Sequence, residues 1–164
     1  MNVHPTPKIV VRLADLHHPD DERRIVELLD MYAREPIGQA APLAEDVCQR
    51  LVCGLRDHPT TLVLLAMEDQ NAVGIAVCFL GYSTFAARPL LNIHDLAVRP
   101  ESRDRGVGRS LLKAAQQQAA ERGCCKMTLE VREDNHGARR LYRDFGFESE
   151  NGAPYSHSFW VKPL

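Results

Sequence analysis

The stretch Arg103-Asp104-Arg105-Gly106-Val107-Gly108 constrains the fold of this chain more than any other part of it. Before it lies an apolar run, Leu90 to Val98, that ends at Arg99-Pro100, where proline interrupts strand pairing. After it, Val107, Leu111, Leu112, Ala115 and Ala119 recur at helical spacing until Gly123. A loop joining a strand to a helix leaves the first N–H groups of the helix without partners, and the positive helix end favours an anion there. Gly106 and Gly108 let a ligand approach the backbone because no Cβ intervenes. Arg103, Arg105 and Arg109 carry charge suited to phosphate oxygens. A pyrophosphate loop is the economical inference, and a plain strand-to-helix turn with solvated arginines is its competitor.

Two familiar nucleotide loops fit poorly. The G-x-x-x-x-G-K-[ST] pattern is absent, and Gly106-Val107-Gly108 runs on to Leu111 where a dinucleotide fingerprint needs Gly or Ala. The net charge of -2, with acids and bases mixed along 164 residues, leaves no footprint for nucleic acid or an anionic membrane. The expected partner is a small molecule. No segment approaches the roughly 18 apolar residues of a membrane span, and Met1 to Pro7 lacks a signal-type apolar stretch, so a cytoplasmic protein is expected. The length suits one domain over 1–164. Cys48, Cys53, Cys78, Cys124 and Cys125 show no paired C-x-x-C spacing; no metal site is expected and most should be buried as small hydrophobes.

Periodicity supplies the remaining elements. Lys8 to Leu13 predicts a strand, and Ile25, Leu28, Leu29 and Tyr32 predict a helix with Pro19 in its first turn. Glu35 to Pro42 breaks it, and Val47, Leu51 and Leu55 predict a second helix ending before Pro59. Thr60–Met67 and Ala72–Tyr82, split by Glu68 to Asn71, predict a hairpin, with Leu90–Val98 as the next strand. Lys126–Val131, a short helix from His136 to Asp144 and a terminal strand around Ser156 to Val161 complete the chain. The order β-α-α-β-β-β-α-β-α-β indicates an α/β or α+β sandwich.

Two linked motifs carry a resemblance. Arg103-x-x-Gly106-x-Gly108 with Leu111-Leu112, and Asn135-x-x-Ala138-x-x-Leu141-Tyr142-x-x-x-Gly146-Phe147, resemble the GNAT acetyltransferases over Ala72 to Phe147. The resemblance implies a mostly antiparallel central sheet flanked by helices, and acetyl-CoA as co-substrate. It implies that the strand ending Leu96-Ala97-Val98 splays from its neighbour and offers backbone groups to the pantetheine arm. Arg103, Asp104, Arg105, Gly106, Val107, Gly108 and Arg109 would surround the pyrophosphate. Asn135 would contact the pantetheine, Ala138 would pack beside it, and Tyr142 would stand near the thioester sulfur as general acid. Tyr82 to Phe85 and Ile93 to Val98 look like the matching stretch of diamine acetyltransferases, where Glu-Asp precedes Leu-x-Val; here His94 stands in place of that glutamate. A homodimer is implied by analogy alone.

The chemistry asked of these residues is simple. A primary alkylamine with a pKa of ~10.4 is protonated at neutral pH and must lose a proton before attacking a thioester. His94 is the candidate base, directly or through a water. Asp95, its neighbour, should face the other side of the strand by alternation and so should not orient it. A free N–H at Leu96 or Ala97 would stabilise the oxyanion. Tyr142 would protonate the departing thiolate. His17, His18, His58, His136 and His157 are scattered and receive no role. Asp30, Glu35, Glu45 and Asp46 surround the first helix break, either attracting a cationic amine or forming a solvated acidic surface. Besides a small-molecule amine acetyltransferase, two readings stand: acetylation of protein lysines or N-termini, and a non-catalytic acetyl-CoA-binding module.

Overall fold

The computed structural model describes residues 8–148 and Lys162. Its elements are β1 (Ile9–Leu13), α1 (Pro19–Arg34), α2 (Glu45–Asp57), β2 (Thr61–Glu68), β3 (Asn71–Ser83), β4 (Arg88–Val98), a 3-10 turn (Pro100–Ser102), α3 (Val107–Glu121), β5 (Met127–Leu129) and α4 (His136–Phe145). This is the expected order as far as α4. The strand expected around Ser156 to Val161 lies outside the described residues.

The strands form one sheet in the order β1-β2-β3-β4-β5, antiparallel except for the parallel β4–β5 pair. Both faces are covered, so β2 and β3 are apolar nearly throughout instead of alternating. One face carries α3 and α4: Leu64, Ala76, Cys78, Leu91 and Ile93 pack with Val107, Leu111, Leu112 and Tyr142. The other carries α1 and α2, where Val63, Leu65, Ile75, Val77 and Ala97 meet Ile25, Leu28, Val52 and Leu55.

Local chemistry sets the helix ends. His18 caps α1, its Nδ1 accepting the Asp20 N–H at 3.2 Å, and Pro19 opens the first turn. Asp20, Asp21 and Glu22 follow at the positive end of the helix. Asp21 is buried and joins α1 to β1: it takes two hydrogen bonds from Arg12, at 2.6 and 2.7 Å, and one from Arg24 at 2.9 Å. No sequence pattern marked that connection.

Burial of the cysteines departs from expectation. Cys78 is buried, Cys53 is exposed on α2, and Cys48, Cys124 and Cys125 are half-buried. Cys53 is on the solvent side of an amphipathic helix whose inner stripe is Val52 and Leu55. Burial pushes the Cys78 thiol up to about 12, with nearby Asp95 adding to the shift, so it is not a nucleophile. No helix among the described residues is long and apolar enough to cross a membrane, and no cluster of metal-ligating side chains occurs among them.

Candidate active site

The site forms where β4 parts from β5. Pairing between them runs only from Leu91↔Met127 to Ile93↔Leu129, leaving the last five residues of β4 without a strand neighbour on that side among the described residues. Between Ile93 and Asp95 the β3–β4 register also slips: Cys78 faces Ile93, Val77 faces Asp95, and His94 is the extra residue of a bulge.

The bulge corrects the expectation that Asp95 faces away from His94. An extra residue breaks the alternation of side chains, so Ile93 and Leu96 lie on the α3 face while His94, Asp95 and Ala97 lie on the α1–α2 face. The His94 ring meets Phe79 edge-on at 5.6 Å, and Asp95 lines a cavity with Leu29 and Tyr32 of α1. The two neighbours therefore share one face of β4.

Backbone groups follow the same shift. The Arg99 N–H donates to the Val73 carbonyl at 2.9 Å, which turns the N–H groups of Ala97 and Asp95 toward β3 and those of Leu96 and Val98 to the open edge. Of the two donors expected for an oxyanion, Leu96 is available at the cleft and Ala97 is committed to the ladder. The outward carbonyl of Val98 accepts from Arg103 Nε at 3.1 Å.

Below this edge lies the N-terminus of α3. Gly106 is its N-cap at φ 80°, and no side chain caps the helix, so the first-turn N–H groups of Val107, Gly108 and Arg109 have no intrahelical partner. A Cβ on Gly106 would meet open space, which makes room for a phosphate beside those donors. Gly108 is different: a Cβ there would come within 2.9 Å of Leu141 Cδ2, so this glycine lets α4 sit against α3. Asp104, also at positive φ, helps turn the chain into the helix. The three arginines are not idle: Arg103 pairs with Glu35, Arg105 with Glu68, and Arg109 lies over the Phe145 ring near the Asp144 carbonyl. The first-turn N–H groups of α3 are thus the donors here that no side chain caps.

Asn135 caps α4, its Oδ1 accepting from Ala138 N at 3.1 Å, and Ala138 packs at the core edge. That cap fixes the direction of the helix that carries Tyr142. Tyr142 is only 8% exposed, with its ring edge-on to Phe147 at 5.8 Å. Burial, reinforced by neighbouring Tyr32, pushes its phenol up to about 12. Tyr32 is raised as well, first by burial and then by the negative charges of Asp95 and Glu35. Burial raises Asp95 above the usual carboxylate range, and His94 partly offsets this.

Asp95 and Tyr32 belong to a cavity of about 360 Å³ between α1, the loop after it, α2 and β4. Sequence reasoning placed Tyr32 in the apolar stripe of α1 and gave it no role. The acids of the helix break are taken: Asp30 pairs with Arg34 and accepts the Leu43 N–H, Glu35 holds Arg103, and Asp46 holds Arg50. A second cavity of about 390 Å³, bordered by Arg24, Glu27, Glu68 and Arg99, lies apart from this site at the β2–β3 turn.

The mixed sheet opens at β4, with the uncapped N-terminus of α3 and the buried phenol of Tyr142 packed on the same face. Residues 22–147 match the model of the acetyltransferase (GNAT) family. The chain belongs to that family and is an acetyltransferase. It is 30% identical over 132 residues to the N-acetyltransferase YhfO of Bacillus subtilis, covering 80% of this chain and 87% of that one. It is 31% identical over 87 residues to a thialysine N-epsilon-acetyltransferase of Bos taurus, covering 53% of this chain and 51% of the relative. Among solved structures, AAC(6')-Iy in complex with a CoA-linked bisubstrate analogue superposes with a TM-score of 0.76 at 18% identity, covering 96% of this chain and 99% of that one.

Proposed function

We propose that this enzyme moves an acetyl group from acetyl-CoA directly onto the primary amine of a small molecule. The observation that carries the reading is the placement of the open Leu96–Val98 edge and the α3 N-terminus beside Tyr142, with the Asp95 cavity on the other face of β4. When bound, acetyl-CoA supplies the electrophilic thioester. The N–H groups of Val107, Gly108 and Arg109 hold its pyrophosphate, with Arg103, Asp104, Arg105 and Gly106 shaping the loop. Leu96 and Val98 offer edge groups to the pantetheine arm, Ala97 keeps that edge in register, and Asn135 and Ala138 seat α4 against it.

Asp95 receives the ammonium group and His94, adjacent on the same face and exposed, passes its proton toward solvent. The Leu96 N–H donates to the oxygen that gains negative charge. Tyr142 remains protonated through neutral pH and donates to the leaving thiolate. No metal and no covalent enzyme intermediate enters the scheme.

A cavity of about 360 Å³ is at the small end of ligand pockets, which run from roughly 300 to 1,000 Å³, and this supports a small acceptor over a folded protein surface. The test is thiol release from acetyl-CoA across a panel of amines, amino acids and peptides. Turnover of small amines supports the proposal. Preferential acetylation of peptides would replace it with protein acetylation, and cofactor binding without any turnover would replace it with a binding module.

A further inference from the structure

Resting on the reading above, we infer that the acceptor is a monoamine: one ammonium group placed on Asp95, and a body that is otherwise apolar. Among the described residues Asp95 is the one charged residue lining the cavity, whose walls are made mainly by Leu29, Ile37, Leu43 and Leu51, with Gln39 as a neutral polar member and Tyr32 beside the carboxylate. Among the described lining residues a ligand cation can be neutralised at that one point.

The acidic residues just outside do not change that balance. Asp30 takes the Arg34 guanidinium and the Leu43 N–H, both at 2.8 Å. Glu35 is held by Arg103, Asp46 by Arg50 at 2.6 Å, and Glu45 accepts from Gln49 at 3.3 Å. The second ammonium of a diamine, or the several of an aminoglycoside, would meet leucine side chains before reaching these carboxylates, of which Asp30, Glu35 and Asp46 already have a cation and Glu45 is bonded to the Gln49 amide. Burying an ion without a partner is costly, so such ligands are rejected by what the wall lacks. Free amino acids are disfavoured as well: no lysine or arginine is among the described lining residues, and Arg132, which donates to the Pro36 carbonyl beside the cavity, is already held by Asp134 at 2.7 Å.

The walls are also fixed in place. Asp30 pins the Leu43 backbone from α1, and the Gly38 N–H donates to the Glu35 carbonyl at 2.9 Å, so the loop carrying Ile37 and Leu43 is tied to the helix before it. A Cβ on Gly38 would fall 2.3 Å from the Tyr32 carbonyl, which shows how closely the loop lies against α1. Such a loop cannot readily turn polar groups inward to suit a second charge.

The decisive comparison is hexylamine against its diamine counterpart, hexanediamine, because the two differ by one terminal ammonium group. Phenethylamine, spermidine, lysine and an aminoglycoside complete the panel, all at matched free-amine concentrations with saturating acetyl-CoA. The expected kcat/KM for hexylamine exceeds that for hexanediamine by roughly tenfold or more. Leu43→Glu, or Leu51→Glu if the first variant fails to fold, should narrow or reverse that ratio. A wild-type preference for the diamine, lysine or aminoglycoside would overturn the substrate class and leave acetyl transfer standing. An unchanged ratio in a folded Glu variant would also overturn it. If acetyl-CoA still raises the thermal midpoint but no amine is turned over, the transfer reading falls and this inference falls with it.

Discussion

Leu141 on α4 occupies the space that a side chain on Gly108 of α3 would need: a Cβ at 108 would lie 2.9 Å from Leu141 Cδ2. Because Tyr142 follows Leu141, this glycine in the first turn of α3 also sets the position of the phenol. Gly108→Ala should therefore cost about 1–3 kcal/mol of stability through overpacking. It should also weaken acetyl-CoA binding and lower turnover as α4 shifts. Leu141→Ala in the same chain should restore part of the loss, a coupling that a double-mutant cycle in thermal unfolding will read. Simple additivity would show that the two residues do not share this space.

Gly106 makes a different demand. At φ 80° it uses the left-handed region, and a Cβ there meets open space. Gly106→Ala should cost only about 1–2 kcal/mol, the ordinary expense of a left-handed non-glycine residue. Gly106→Asn should cost less, since asparagine tolerates that conformation. Equal losses for Ala and Asn would argue against backbone strain as the cause.

Asp21 should govern acid stability. Its bonds from Arg12, the backbone of Asp15 and Arg24 hold it well below the ordinary carboxylate range. A carboxylate depressed on folding stabilises above its unfolded value of ~3.9, and that contribution is lost as pH falls through this range and below. Asp21→Asn should lower stability at neutral pH by about 3 kcal/mol, as a guanidinium is left with a weaker partner, and should flatten the acid side of the stability curve. Chemical denaturation of both proteins from pH 3 to pH 7 will check this; parallel curves would refute the assignment.

The layout of the fold was legible because it rests on local signals. Pro19, the break at Glu35 to Pro42, Gly123 and the apolar runs of β2, β3 and β4 each act on their own neighbourhood, and the elements came out close to the expected bounds. The loop leading into α3 was legible for the same reason. Asp95 was misplaced because alternation assumes an unbroken ladder, and a bulge comes from the fit of two strands rather than from one residue. Tyr32 looked like one more member of the α1 stripe, since nothing in its spacing records what lies opposite. Asp21 sits in a run of acids typical of a first helical turn, and only tertiary structure brings Arg12 onto it.

Tyr142→Phe should leave acetyl-CoA affinity near the wild-type value, because the ring keeps its place against Phe147 and only the hydroxyl is lost. Turnover should fall by about a hundredfold or more, the usual scale for losing a positioned acid. Since the phenol is pushed up to about 12, the wild-type rate should show no loss of this acid as pH rises to about 10. Isothermal titration of the cofactor alongside steady-state rates will separate the two effects. A matching fall in affinity would make Tyr142 a positioning residue.

The last prediction separates the two neighbours on the bulge. Asp95 is raised by burial, so as pH falls through its elevated value it takes up a proton and can no longer hold an ammonium ion. The amine KM should rise on that limb. His94 must be neutral to accept a proton, so kcat should show an acid limb that depends on His94. His94→Ala should remove the kcat limb and leave the KM limb, while Asp95→Asn should hold KM at the high value that the wild type reaches only at acid pH, removing the KM limb and leaving the kcat limb in place. His94→Gln keeps size and some hydrogen bonding, and a loss there in a folded protein indicates proton transfer instead of packing. Rates must be compared at matched free-amine concentration, because free amine itself increases with pH. If His94→Ala keeps the wild-type kcat profile while Asp95→Asn loses it, Asp95 is the base and His94 only completes the bulge beside Phe79.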